Sequence, residues 1–162
     1  TGMRSGELLV LTPTDILPNK RIDINKNYAK IKGDELFLEP KTPKAKRCIS
    51  IPDFLYDDIQ EYISKLYGIG NNDRIFYFQK MALEKEMKRV SEWADLKPIR
   101  VHDLRHSHAS MLIDLVFSSL EIAERLGHES VKTTLDTYSH LYLDKDQQLA
   151  DRLNQFRNNR TK

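Results

Sequence analysis

Apolar and polar positions change their spacing along the chain, and each change marks an element. Thr1 is placed to cap a helix whose apolar face carries Met3, Leu8 and Leu11 and which ends before Pro13. Between residues 20 and 52 the spacing becomes alternating, with turn signals at Lys32-Gly33-Asp34 and around Pro40 to Pro43. That pattern predicts a small antiparallel sheet of about three short strands. Asp53 then opens an amphipathic helix with Leu55, Ile59, Tyr62, Ile63 and Leu66 on one stripe and Gly68 as its stop. The short apolar run Ile75 to Phe78 anchors a further helix, about 80 to 94, whose Met81, Leu83, Met87, Val90 and Trp93 are expected in the core. Lys97-Pro98 breaks the chain after it.

The last third is helical throughout. Leu104, Ala109, Leu112, Ile113 and Val116 form a buried face; Ser118 or Ser119 caps a short helix with Glu121 in its first turn and Gly127 at its end. Another helix begins near Ser130 and carries Tyr138. The tail, about 144 to 156, is amphipathic through Leu149, Leu153 and Phe156, suited to fold back on its own chain or to pack on a neighbour. The fold class expected is mainly α with a small three-stranded antiparallel β-sheet, an α+β arrangement.

At 162 residues the chain suffices for one core. A charged fraction of 31% against 40% hydrophobic is a folded balance, and a net charge of +2 says little about partners. No apolar run is long enough to span a bilayer. The single Cys48 permits no internal disulfide, so a reducing cytoplasmic setting is expected. The chain opens directly on a helix start, which reads as a fragment of a longer protein.

All five histidines fall between residues 102 and 140, together with Arg105 and Tyr138. His102 and Arg105, three apart, share a helix face; guanidinium beside imidazole suits a phosphate or carboxylate. Arg4 and Glu7 share a face in the same way, and the plain reading is a surface ion pair. Lys41, Lys44, Lys46 and Arg47 form an acid-free basic loop, either a solvated edge or a contact for a phosphate backbone. His106 and His108 point apart on a helix, so a metal site is disfavoured. The segment from Ser118 to Leu141, two helices around a glycine turn, also fits a DNA-binding helix-turn-helix regulator that does not cleave.

HDLRHSHAS followed by LGHESVKTTLDTYSH resembles the two C-terminal signature boxes of the tyrosine recombinases, the phage integrase family, and TGMRSGELL resembles that family's first arginine box. The flavour is that of integrases of Gram-positive conjugative transposons and temperate phages. The resemblance covers the whole chain and implies one catalytic domain over 1–162, with an N-terminal DNA-binding domain lying outside it. It implies Tyr138 as nucleophile, Arg4 and Arg105 as the grip on the scissile phosphate, and His102 and His128 as the family's box histidines. Lys41 best matches the catalytic lysine, Glu7 an orienting acid, and Lys44, Lys46 and Arg47 DNA contacts. In that reading His102 takes the phenol's proton and Lys41 protonates the leaving 5′ oxygen. The implied reaction is strand exchange that integrates or excises a mobile element, needing no cofactor. The implied partners are double-stranded DNA and further protomers in a tetramer, joined through the C-terminal helix, with no membrane. A type IB topoisomerase would share the chemistry without the partner exchange.

Overall fold

The computed structural model describes residues 1–31, 34–40, 42–142, 150, 151, 153, 154 and 156–158. The opening helix is one turn long, α1 (Ser5–Leu8), rather than a helix running to Pro13. The reason is that the following Leu9, Val10 and Leu11 are all buried, so the chain must leave the helical path to bury consecutive side chains. Leu11 accepts a hydrogen bond from the Ile75 backbone at 2.8 Å, which fixes the 75–78 run beside it.

Strands β1 (Ile16–Leu17), β2 (Arg21–Ile24) and β5 (Arg47–Ser50) form an antiparallel sheet in the order β1-β2-β5. A separate hairpin joins β3 (Asn27–Ile31) to β4 (Asp34–Leu38). The expected sheet of about three strands is therefore present, with β1 starting before residue 20 and the hairpin standing apart from it. In β2 the alternation is direct: Ile22 and Ile24 are buried while Arg21 and Asp23 are only partly covered. Pairing of Ile22 with Ile49 sets the register that keeps both isoleucines on the core face. Gly6 of α1 packs on this hairpin so closely that a Cβ would lie 2.4 Å from Asn27 Oδ1 and 2.8 Å from the Tyr28 carbonyl oxygen.

Two main apolar clusters result, beside a small one of Leu9, Val10 and Tyr28. The first gathers Leu11, Ile16, Ile22, Ile24, Ile49, Ile51 and Ile75, covered by Leu55, Ile59 and Ile63 of α2 (Asp53–Ser64). The second lies among α4 (Asp103–Asp114), α5 (Ser119–Leu126) and α6 (Val131–Tyr138), and holds Ala109, Leu112, Ile113, Ile122, Leu126 and Tyr138. Caps set the last two helices: Ser118 Oγ accepts from the Glu121 backbone, and Ser130 Oγ from that of Lys132.

Helix α3 (Lys80–Trp93) departs from expectation. Met81, Val90 and Trp93 are 59%, 42% and 84% exposed, and only Leu83 and Met87 among its apolar positions are partly covered. The helix meets the body along a narrow stripe, which two apolar side chains fill. Leu104 and Val116 are likewise exposed, the latter because α4 ends at Asp114 and Val116 sits at φ 66°. Leu149 lies outside the described residues, while Leu153 and Phe156 in the tail are exposed.

Candidate active site

Most of the polar residues singled out above, Arg4, Glu7, Arg47, His102, Arg105, His128 and Tyr138, gather at the seam between the two main clusters. Arg105, on the first turn of α4, is 5% exposed and spans the seam with two strong bonds. Its Nη1 donates to the Gly2 carbonyl at 2.7 Å and its Nη2 to the Leu126 carbonyl at 2.6 Å. Leu126 ends α5, so its carbonyl belongs to the helix's partially negative end, where a cation is favoured. Burial first, then the positive charge of Arg4, lowers the Arg105 pKa to about 10, still well above neutrality. The influence of Arg4 on Arg105 places the two guanidiniums in one electrostatic neighbourhood.

Gly2 is required where it stands. It has φ 71°, and a Cβ there would lie 2.5 Å from His108 Cδ2 and 2.7 Å from Leu126 Cδ2. Gly2→Ala should therefore push the Gly2 carbonyl off Arg105. We expect a loss of about 1–3 kcal/mol in thermal unfolding, from left-handed strain and one weakened buried bond. A stability change under about 0.5 kcal/mol would show that the backbone adjusts without disturbing the arginine.

Glu7 is no surface partner of Arg4, as the plain sequence reading had it; it is 3% exposed. Its carboxylate accepts from the Arg4 backbone at 2.7 Å and from Arg4 Nη1 at 2.8 Å. It also accepts both arms of Arg47, Nη1 at 3.1 Å and Nη2 at 2.9 Å. Burial alone would raise its pKa, but the Arg47 bonds and charge, with Arg4 behind them, win and hold it below the usual carboxylate range. Expected to contact DNA from a basic loop, Arg47 instead points inward with a side chain only 7% exposed. Its Nε bonds the Arg125 carbonyl at 2.8 Å and its Nη1 also reaches the Ala45 carbonyl at 3.1 Å, so it braces Glu7, and through it Arg4, from behind. Gly127 has φ 68°, and a Cβ there would meet Arg47 Nη1 at 2.7 Å, so this helix end needs glycine twice over. Lys44 and Lys46 remain on the surface, Lys46 paired with Glu39 at 3.0 Å. Lys41 lies outside the described residues.

The backbone amide of His128, directly after Gly127, bonds the Ala123 carbonyl at 2.9 Å, closing a Schellman-type end to α5. Its Nδ1 is 2.8 Å from the hydroxyl of Thr134, which is wholly buried on α6. Burial, followed by the charges of Arg105, Arg4 and Arg47, brings the His128 pKa down to about 4, so the ring is neutral at pH 7. His102 begins α4 and meets the His106 ring edge-on at 5.0 Å between centroids. Burial and then the neighbouring positive groups lower its pKa as well.

Tyr138 is the last residue of α6 and is 5% exposed among the apolar side chains of the second cluster. Burial raises its pKa, against the pull of Arg105. Its hydroxyl lies 2.7 Å from His106 Nδ1, and among the described residues that bond goes to His106 rather than His102. The expected proton acceptor, His102, is therefore not the histidine placed on the phenol. The local sequence carries no signal for this contact, since 32 positions separate the two residues. The assembled site offers two guanidiniums, two neutral imidazoles and a protonated phenol at one end of a buried arginine. Such a set is suited to a tetrahedral anion and to attack upon it.

Comparison with known proteins identifies the family. The model of the phage integrase family matches residues 1–145. The chain is 37% identical to the ICEBs1 integrase of Bacillus subtilis (strain 168), covering 94% of this chain and 45% of that protein. It is 31% identical to the integrase of Staphylococcus phage L54a, covering 94% and 48%. The chain thus spans about half the length of the curated relatives it matches. Among solved structures, a Tn1549 transposon integrase in complex with circular intermediate DNA superposes with a TM-score of 0.77 at 21% identity, over 94% of this chain and 56% of that one. XerA recombinase superposes with a TM-score of 0.67 at 23% identity, over 97% and 53%. With its arginine boxes folded into one seam and its sequence matched from residue 1 to 145, the chain belongs to the phage integrase family of tyrosine recombinases.

Proposed function

We propose that the chain is the catalytic domain, 1–162, of a site-specific DNA recombinase, working with a DNA-binding domain elsewhere in the whole protein. The observation that carries this reading is Arg105, buried and locked to the carbonyls of Gly2 and Leu126, with Arg4, His128 and the Tyr138 phenol in its neighbourhood.

Tyr138 Oη attacks the phosphorus of a scissile phosphodiester, the bond to the 5′ oxygen breaks, and a 3′-phosphotyrosyl link forms. Charge building on the non-bridging oxygens is met by Arg4 and Arg105, with His102 and His128 as neutral N–H donors. Lys41 is the assigned donor of the proton that the departing 5′ oxygen takes up. A 5′ hydroxyl from a second duplex then reverses the step, returning its proton to the lysine and releasing the tyrosine. The phosphotyrosyl bond conserves the energy of the bond it replaced, so neither a nucleotide nor a metal enters the balance. The substrate is double-stranded DNA, the outcome integration or excision of a mobile element, and the setting cytoplasmic. Lys44 and Lys46 contribute to DNA contact from the surface.

Strand exchange needs several protomers, and one surface feature is consistent with their association. An apolar groove of about 660 Å³ is lined by Phe54, Leu55, Met111, Leu115 and Phe117. Leu153 and Phe156 of the tail are exposed and of matching chemistry. We read the groove as the place where the tail of a neighbouring protomer docks in a tetramer on DNA.

A nicked suicide substrate tests the reading. The protein should form a covalent protein–DNA adduct that is stable to denaturant and lost completely in Tyr138→Phe. No adduct would indicate a helix-turn-helix regulator. Relaxation of supercoils without preference for a site would indicate a topoisomerase.

A further inference from the structure

We propose that His106 is the general base for Tyr138, taking the phenolic proton on Nδ1 during attack and returning it when the tyrosine leaves. The proposal rests on the recombinase reading and assigns a residue outside the set of arginine-box, lysine and histidine positions carried over from the family.

The geometry divides labour between two histidines four apart on one face of α4. His106 Nδ1 stands 2.7 Å from the Tyr138 hydroxyl, a hydrogen-bond distance at which a proton crosses without rearrangement. The ring planes of His106 and Tyr138 are inclined by 58° with centroids 5.8 Å apart, so the contact is made at the ring edge, where the nitrogen lone pair lies. His102 meets the same imidazole edge-on at 5.0 Å between centroids. His106 thus contacts both the nucleophile and a second histidine, and the phenol is hydrogen-bonded to His106, which leaves His102 to serve the phosphate. The charged and titratable groups facing this pair are His102, Asp103 and Arg105 from α4, and His128 from the loop before α6. Asp103 is engaged by Arg100 at 2.9 Å, so it does not compete for the imidazole. His128 is engaged by Thr134. Arg105 carries the charge that favours a phenolate at Tyr138.

The step balances. In cleavage the P–Oη bond forms as the P–O5′ bond breaks, the phenolic proton passes to His106 Nδ1, and a separate acid protonates the 5′ oxygen. In religation the P–O5′ bond re-forms, the phenolate leaves, and the proton on His106 returns to it.

Single-turnover adduct formation on a suicide substrate, measured for wild type, His106→Phe and His106→Gln from pH 6.5 to 9.5, tests the assignment. Both variants should be slower by about 10²–10³-fold at pH 7, the usual contribution of a positioned base. The ratio of wild-type to variant rate should shrink by up to about tenfold per pH unit as hydroxide takes over deprotonation of a phenol whose ordinary pKa is about 10. Placing sulfur at the 5′ bridging position should not relieve the deficit, because a thiolate leaves without a proton and the missing function lies on the nucleophile's side. A deficit constant across pH would make His106 a positioning residue only, and relief by sulfur would make it the acid; either overturns the proposal. Both variants within fivefold of wild type would also overturn it. Absence of adduct with wild type itself would instead overturn the recombinase reading on which the proposal stands.

Discussion

Arg105→Ala should slow adduct formation by about 10³-fold or more while weakening DNA binding by less than about tenfold. Removing one preorganised donor from an anionic transition state costs about 10²–10³ in rate, and a fixed guanidinium supplies a full charge besides. Binding is less sensitive because duplex affinity is shared among many phosphate contacts, of which Arg105 would make only one. Arg105→Lys refines the point. An ammonium keeps the charge but cannot hold the Gly2 and Leu126 carbonyls together in one plane. We expect it to fall well short of wild type even though the net charge of the site is unchanged. Single-turnover cleavage and a parallel binding titration check both variants. Equal losses in the two assays would reduce Arg105 to an ordinary DNA contact.

Glu7→Gln should be the most destabilising of the single polar substitutions in the seam. Its carboxylate separates Arg4 from Arg47, with Arg105 close by, and breaking a buried ion pair from one side costs about 3–5 kcal/mol. For a domain of this size that is a fall in Tm of roughly 6–20 °C. Sulfate should recover part of the loss by supplying an anion to the exposed cations, and a Tm within about 2 °C of wild type would show that Arg47 is held by carbonyls alone. The same carboxylate gives a pH dependence. Because its folded pKa lies below the unfolded value, its contribution is fully present above the ordinary glutamate range of about 4.3 and is lost as pH falls through the lower folded value. Acid unfolding of Glu7→Gln should consequently be flatter below about pH 4 than that of wild type.

Much of this was legible residue by residue, because the signals involved are local. Ser118 with Glu121, Gly127 at positive φ, and Ser130 are short-range devices, and each marks a helix end where the sequence reading placed one. Ile22 and Ile24 showed their strand by alternation alone. What stayed hidden depends on partners far along the chain. Nothing near Arg47 says that it turns inward, since Glu7 lies 40 positions away and a basic residue in a basic loop is equally suited to solvent. Met81, Val90 and Trp93 follow a helical period, but a period does not reveal how wide a stripe the body will cover. The same holds for His106, whose role is set by a tyrosine on another helix. Family resemblance named the arginines and the tyrosine; it did not show what holds them.

The bond from Arg105 to Gly2 joins residues 103 positions apart. Closing so long a loop carries an entropic cost that the packing on both sides of the contact must offset. In a half-melted copy Arg105 would therefore lose its seat even where the helix that carries it persists.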